Sequence, residues 1–403
     1  MSKQTILVAG SGFAGVWAAL SAARAISLAG REGNLEVVIV SPEPRLVIRP
    51  RLYEAVLENM DPDVSELLIA VGVRHIAGLI QDIGVDGREA TVLHGDGAVQ
   101  SIKWDRFVLA TGSRLSAPAI PGLADHAFDV DQLASAHRLD AHIKSLGARA
   151  ETAVRNTAVV VGGGFTGLEG AAEMPERLRA VLGEDAEPRV VIVDPAPQIG
   201  ADMGDEAGEA VRAALVEMGI EQRPGVRVTA VDAGGVTLSD GSRIDAGTVV
   251  WSGGLRAHPL AAQVPGEHDA VGRVIGDAFL RAPAAEGIFV TGDSVKAATD
   301  DAGNFTVMSC QHALSLGRVA GHNAAAELAG LELHPYSQPK YVTCLDLGAW
   351  GALYTEGWDR QVRLTRDEGK KVKQEINGIW IYPPAPDREA VFAVSNPDFV
   401  IVP

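Results

Sequence analysis

Apolar residues in this chain come in short unbroken runs, each stopped by glycine. Residues 5–9 (TILVA) form one run and pass straight into Gly10-Ser11-Gly12-Phe13-Ala14-Gly15. An alanine-rich apolar stretch follows from Val16 to about Ala29, and then 36–40 (EVVIV) makes a second run. Continuous runs of this kind predict strands buried on both faces, and the good helix formers between them predict a helix. Strand, glycine turn, helix and strand make one parallel crossover.

The order returns. Residues 158–161 (AVVV) lead into Gly162-Gly163-Gly164-Phe165-Thr166-Gly167, a helix is predicted from about Leu168 to Leu182, and Arg189–Val193 is the next strand. Gly10 to Ser41 spans 31 positions and Gly162 to Asp194 spans 32, so the two units match in length. Each leads to a meander with tight turns, Gly95-Asp96-Gly97 in one and Asp240-Gly241 in the other. Each meander ends in an apolar strand running into small residues, 107–112 (FVLATG) and 249–254 (VVWSGG). The fold class expected is α/β. It comprises two Rossmann-like dinucleotide-binding domains plus a small α+β C-terminal domain after about Pro335, where seven of the eleven Trp and Tyr residues lie.

At 403 residues, with about 150 per domain, two or three domains are expected. A net charge of −17 argues against nucleic acid as a partner and against anionic lipid except by local contact. The two cysteines, Cys310 and Cys344, exclude a disulfide scaffold and a zinc cluster, so no metal is expected and a reducing compartment fits. No apolar run is long enough to span a bilayer. Lys3, the stretch after it and Ala23-Arg24-Ala25 imitate a secretion signal, yet the glycines fall where a nucleotide turn needs them. The chain is expected to be cytoplasmic, with at most peripheral contact at the inner face of the membrane.

The glycine spacing has a mechanism. The first glycine allows the turn, the second lets backbone N–H groups approach a diphosphate, and the third lets helix and strand pack closely. Asp194 closes the second strand of the second unit, where a carboxylate accepts from ribose hydroxyls and repels a 2′-phosphate, so NAD is expected over NADP. The matching position of the first unit is Ser41, with Glu43 two residues on.

Four signatures occur in order: Gly10–Gly15, Ala110-Thr111-Gly112, Gly162–Gly167 and Thr291-Gly292-Asp293. On these, residues 1–330 resemble the FAD/NAD(P)-dependent pyridine nucleotide reductases, flavoproteins with a three-layer, glutathione-reductase-like plan. The resemblance implies FAD at Gly10, Gly12, Phe13, Ala14, Gly15, Ser41, Arg49, Ala110, Thr111, Gly112, Gly292, Asp293 and Gln311. It implies NADH at Gly162, Gly164, Thr166, Gly167, Asp194 and Gly253. The implied domains are 1–118 with 266–335 for FAD, 119–265 for NAD, and 336–403 for the C-terminal module.

Residues 41–60 hold no cysteine, which sets the chain apart from the thiol-dependent branches. Val250-Trp251-Ser252-Gly253-Gly254-Leu255-Arg256 with Pro259-Leu260, and Arg49–Glu54, resemble the type II NADH dehydrogenases, which pass electrons from NADH to quinone. Glu169 stands where that group places a glutamate beside the nicotinamide. Cys310-Gln311-His312-Ala313-Leu314-Ser315 resembles its quinone-side motif, with Ser315 in place of a second Gln. The resemblance implies Glu169, Gln311 and His312 as catalytic residues, His312 delivering a proton because histidine titrates near neutral pH. A helix is expected to begin near Ser309, with Ser309 as its cap.

A quinone-like acceptor is the first expectation. A soluble NADH:ferredoxin reductase with a small redox protein as partner, and an NADH-binding sensor with little turnover, are the alternatives. The C-terminus reads as a strand over Gln361–Thr365, a turn at Asp367-Glu368-Gly369 and a further strand over Val372–Tyr382. Arg360–Lys373, with six basic residues and two acidic, reads as a solvated hairpin. Trp350, Tyr354 and Trp358 lie four apart, so they are expected on one helix face, in a core or in a homodimer surface.

Overall fold

In the computed structural model, which describes residues 3–183 and 185–401, the buried runs form two parallel sheets. The outermost residues of the expected first and last domains, 1–2 and 402–403, lie outside the described residues. The first sheet has five strands in the order Ile288–Val290, Arg106–Leu109, Gln4–Ala9, Leu35–Ser41 and Arg74–Ala77. The second has four, in the order Glu221–Pro224, Arg189–Asp194, Thr157–Val161 and Thr248–Trp251. A three-stranded antiparallel meander accompanies each, Leu79–Lys103 in one and Val228–Asp245 in the other. Residues of the central strands, such as Ile6, Val8, Phe107 and Val159, are wholly buried, which is why these runs carry no polar alternation.

The two glycine helices start three residues before the sequence pattern suggests, at Phe13–Leu28 and Phe165–Leu182. Gly12 and Gly164 are their N-caps in extended conformation, so the third glycine of each motif lies inside the first turn. A Cβ on Gly15 would meet Gly10 O at 1.9 Å, and one on Gly167 would meet Gly162 O at 1.9 Å. That contact demands glycine for steric reasons alone.

Helix Cys310–Ala329 lies against the first glycine helix along a seam of small residues. Cβ atoms on Gly317 and Gly321 would fall 2.4 Å from Ala14 O and 2.0 Å from Ala18 O. Ser309 caps the helix, its hydroxyl accepting from His312 N–H at 3.4 Å.

The C-terminal module departs from the sequence expectation. Strands Val342–Asp346, Ala352–Glu356 and Gln361–Leu364 form an antiparallel sheet. The expected turn at Asp367–Gly369 and the strand after it are instead the helix Arg366–Glu375, continuing as a π-turn over Ile376–Trp380. Trp350, Tyr354 and Trp358 share no helix: Trp350 ends a 3-10 turn, Tyr354 lies in a strand and Trp358 in a hairpin turn. Gly348 and Gly351 force this, at φ +55° and +111°, with no room for a Cβ against Ala172 O and Arg366. The module is also not self-contained in its packing. Leu345, Leu347 and Leu353 join the apolar core of the second unit, while Ile381 and Val391 join that of the first. Among the described residues no helix is long and apolar enough to cross a membrane.

Candidate active site

The loops after the first sheet's strands bring most of the expected FAD residues to one edge. Gly10 abuts Ala110, a Cβ there meeting Ala110 O at 2.8 Å, and Gly292 abuts Ala14 at 2.7 Å from its Cβ. Gly12 is exposed, with nothing within 4 Å of a Cβ. Phe13 and Ala14 open the helix from below. Buried Thr111 Oγ1, Thr291 Oγ1, Gln311 Oε1 and His312 Nε2 have no hydrogen-bond partner among the described residues. A glycine cradle open at its centre and ringed by unspent polar atoms fits the diphosphate and isoalloxazine of FAD.

Asp293 lies in the same loop cluster, its Oδ2 accepting from Ser113 Oγ at 2.6 Å and standing 3.6 Å from Arg49 Nη1. Arg49 also donates to Asp131, both to its backbone oxygen (3.2 Å) and to its carboxylate. Burial lifts the Asp293 carboxyl above its ordinary value against the pull of Arg49. Ser113 and Asp131 complete this group and are absent from the sequence motifs.

Ser41 does not reach the cleft. It is 3% exposed, its hydroxyl donates to Glu43 O at 2.7 Å, and it lies 2.9 Å from His75 Nε2. In the second unit Asp194 ties strand to glycine turn, Oδ2 accepting from Gly163 N–H at 2.6 Å and Oδ1 from Ala196 N–H at 2.7 Å. In the first unit the tie comes from the turn instead, where Ser11 Oγ donates to Arg45 O at 2.8 Å. The two units solve one problem from opposite sides. A Cβ at Gly163 would stand 3.2 Å from the Asp194 side chain, which would have to shift slightly to admit a serine there.

The second cradle repeats the first. Gly162 lies beside Gly253, whose N would stand 3.2 Å from a Cβ there, and Ser252 Oγ donates to Val161 O at 2.9 Å. Gly164 and Thr166 are exposed at the mouth, and Gly164 has open space around it. The carboxylate of Asp194 is only partly covered.

Between the cradles lies a buried polar cluster that unites all three parts of the chain. Glu169, one turn into the second glycine helix, is 6% exposed. Its Oε1 accepts from Lys373 Nζ at 2.7 Å and from Asp346 N–H at 3.1 Å. Asp346 accepts from Lys370 Nζ (2.6 Å) and Tyr53 Oη (3.1 Å). Burial alone would pull the Lys373 ammonium down, but the Glu169 carboxylate outweighs it and holds the lysine protonated. Burial and then the Asp346 charge push neighbouring Glu173 up to about 7.

The basic stretch Arg360–Lys373 is therefore a hairpin strand only to Leu364 and a helix from Arg366, and while Arg363, Arg366 and Lys371 are exposed, its last lysines are not all solvated. Lys373 is 6% exposed and paired, and Lys370 is partly buried and paired. The signals that could have found Lys373 are Thr365-Arg366-Asp367-Glu368, a capping-box sequence, and the four-residue spacing of Gly369, Lys373 and Asn377 on one helical face.

His312 is wholly buried, its Nδ1 3.1 Å from Ser309 Oγ, its ring stacked near Tyr341 (5.5 Å) and Trp358 (5.9 Å). Burial, with Arg273 nearby, pushes its pKa down to about 4. A value that low favours the neutral ring at pH 7 and speaks against the expected proton donor titrating near neutrality. Burial likewise pushes the Cys310 thiol up to about 11 and Cys344 to about 12, so neither forms a thiolate readily.

Two parallel sheets, each with a strand, glycine turn and helix of the dinucleotide-binding kind, define a two-dinucleotide oxidoreductase fold. The family model for pyridine nucleotide-disulphide oxidoreductases matches residues 4–317, and the chain belongs to that family. It is 44% identical, over 94% of both chains, to an NADH dehydrogenase-like protein of Mycobacterium tuberculosis. It is 28% identical to the demethylphylloquinone reductase of Synechocystis, over 87% of this chain and 86% of that one. The structure of Plasmodium falciparum NDH2 with NADH shares the fold, with TM-score 0.74 at 12% identity over 98% of this chain and 97% of that one.

Proposed function

We propose that this protein is an FAD-dependent NADH:quinone oxidoreductase of the type II NADH dehydrogenase kind. The observation that carries the reading is the Glu169–Lys373 pair, buried where the two dinucleotide units and the C-terminal module meet. When bound, FAD supplies the two-electron chemistry between NADH and acceptor. Gly10, Gly12, Gly15 and the edge at Ala110–Gly112 hold its diphosphate end, Asp293 with Arg49 and Ser113 its polyol. Helix Cys310–Ala329 turns its positive end toward the same cleft, and Gln311 there offers an unspent amide. Gly162, Gly164, Thr166, Gly167 and Gly253 receive NADH, and Asp194 takes its adenosine ribose.

Quinone reduction by NADH consumes one proton from solution. Lys373 Nζ holds a proton at the buried junction, and Glu169 Oε1, 2.7 Å away, is placed to take a proton from solvent and pass it on once the lysine has given up its own. Demethylphylloquinone reduction by the Synechocystis relative supports a quinone as acceptor. A surface recess of about 540 Å³, lined by Arg51, Glu58, Asn59 and Tyr382 with Val56 and Pro62, offers an open approach for a small acceptor with a polar head. A homodimer through the C-terminal module completes the reading, and sedimentation checks it.

The test is steady-state NADH oxidation with menadione, set against ferricyanide, in the parent and in the double variant Glu169→Gln/Lys373→Met. Both charges are removed together because a lone buried charge destabilises by about 3–5 kcal/mol. Menadione turnover is expected to fall about a hundredfold, while ferricyanide, which takes electrons without protons, keeps most of its rate. A parent that reduces ferricyanide but not menadione would contradict the quinone reading. Equal losses with both acceptors would contradict the proton role.

A further inference from the structure

The hairpin joining strands Ala352–Glu356 and Gln361–Leu364 leaves its own sheet to lie on the second dinucleotide unit. Its turn, Gly357–Arg360, is closed by Arg360 N–H donating to Gly357 O at 3.0 Å. Val362 N–H donates to Glu206 Oε2 at 3.2 Å, and Asp359 O comes within 3.3 Å of a Cβ built at Gly204. Trp358 stacks on Tyr341 at 4.3 Å, beside His312 at the start of helix Cys310–Ala329. Arg360 points to the other cradle. Its guanidinium lies 5.4 Å from the ring of Phe165, the first residue after the Gly164 cap, and 5.8 Å from Tyr341. Its Nη1 stands 3.1 Å from Met203 Sδ.

Three features of this arginine need a reason. Although acidic residues outnumber basic ones by 52 to 35, Arg360 belongs to no ion pair among the described residues. Its backbone is held at φ +54°, a conformation that glycine would adopt without strain. Its guanidinium lies against aromatic faces and gives one N–H to the weak acceptor Met203 Sδ, with no oxygen acceptor among the described residues. A forked cation kept free of carboxylates beside an open glycine turn is suited to a phosphate oxygen. In a protein of net charge −17 a local cation also offsets the general repulsion of a dianionic dinucleotide.

We propose that Arg360 is a binding residue for the diphosphate of NADH, delivered to the donor cleft by the C-terminal module. The inference rests on the reading of Gly162–Gly167 as the NADH turn. The backbone N–H groups of that turn hold one side of the diphosphate, and Arg360 supplies the charged contact from a separate part of the chain. Donor binding and the seating of the C-terminal module thereby become linked, because Lys373 belongs to the same module.

The test uses the FAD-loaded protein and three variants: Arg360→Lys, Arg360→Ala, and Arg360→Gly, which also relieves the left-handed backbone. Calorimetry measures binding of ADP-ribose, which carries the diphosphate without the nicotinamide. Stopped-flow absorbance measures flavin reduction by NADH and by N-benzyl-dihydronicotinamide, which carries no phosphate. Arg360→Ala and Arg360→Gly are expected to weaken ADP-ribose and NADH by about tenfold, with the limiting reduction rate unchanged, and Arg360→Lys to recover part of the loss. The phosphate-free donor is expected to reduce all four proteins alike. Unchanged ADP-ribose binding in Arg360→Gly, or an equal loss with the phosphate-free donor, would overturn the inference while leaving the NADH turn intact. A parent that binds no ADP-ribose and is not reduced by NADH would overturn the underlying reading as well.

Discussion

Glu173 shows how strongly single side chains in the central cluster depend on their surroundings. Burial and the nearby Asp346 charge push its carboxyl from an ordinary 4.5 to about 7. Between those values the folded chain keeps a proton that the unfolded chain releases, so stability falls as pH rises through that window. Glu173→Gln removes the effect. Unfolding free energies from urea titration are expected to match the parent at pH 4 and to exceed it at pH 8 by about 1–3 kcal/mol. A parent curve that is flat over the window would contradict the placement of Glu173. At this scale the sequence was legible where sterics leave no choice, as at Gly15 and Gly167, whose Cβ atoms would overlap a carbonyl oxygen. It was illegible where a partner lies far along the chain. Lys373 meets Glu169 across 204 positions, and only the fold makes that lysine part of the site.

Among elements, the seam between the first glycine helix and helix Cys310–Ala329 sets the geometry of the FAD cradle. Both helices begin at the cleft, and Gly317 and Gly321 let their backbones touch. Gly321→Val puts a branched side chain where Ala18 O stands 2.0 Å from the first added carbon, so the helices must part. The variant is expected to lose FAD on gel filtration and to melt about 5 °C or more below the parent; retention of both would contradict the seam's role. The elements that the sequence showed least well are those whose pattern has two readings. Aromatics four apart suggest a helix face, yet Gly351, at φ +111° between Trp350 and Tyr354, stops the turn, and a strand results. Arg366–Glu375 presents mainly charged residues to solvent, so its apolar periodicity is faint and its cap sequence is the better guide.

Across the whole molecule, the duplicated strand–turn–helix units were readable because repetition at matched spacing is a stronger signal than either copy. The central polar cluster was not readable, since it is assembled from Tyr53, Glu169, Asp346 and Lys373, one or two from each part of the chain. The C-terminal module supplies both the lysine of the buried pair and the arginine beside the donor turn, and its apolar residues complete two separate cores. It thus acts as a clamp across the dinucleotide units. The central claim is that one chain takes electrons from NADH through bound FAD and gives them to a quinone. The visible spectrum of the purified protein, titrated anaerobically with NADH and then with menadione, tests it most directly. The account predicts a flavin band that NADH bleaches and menadione restores, with NADPH much less effective because of Asp194. A protein that neither retains nor rebinds FAD, or a flavin band that NADH leaves unchanged, would contradict it.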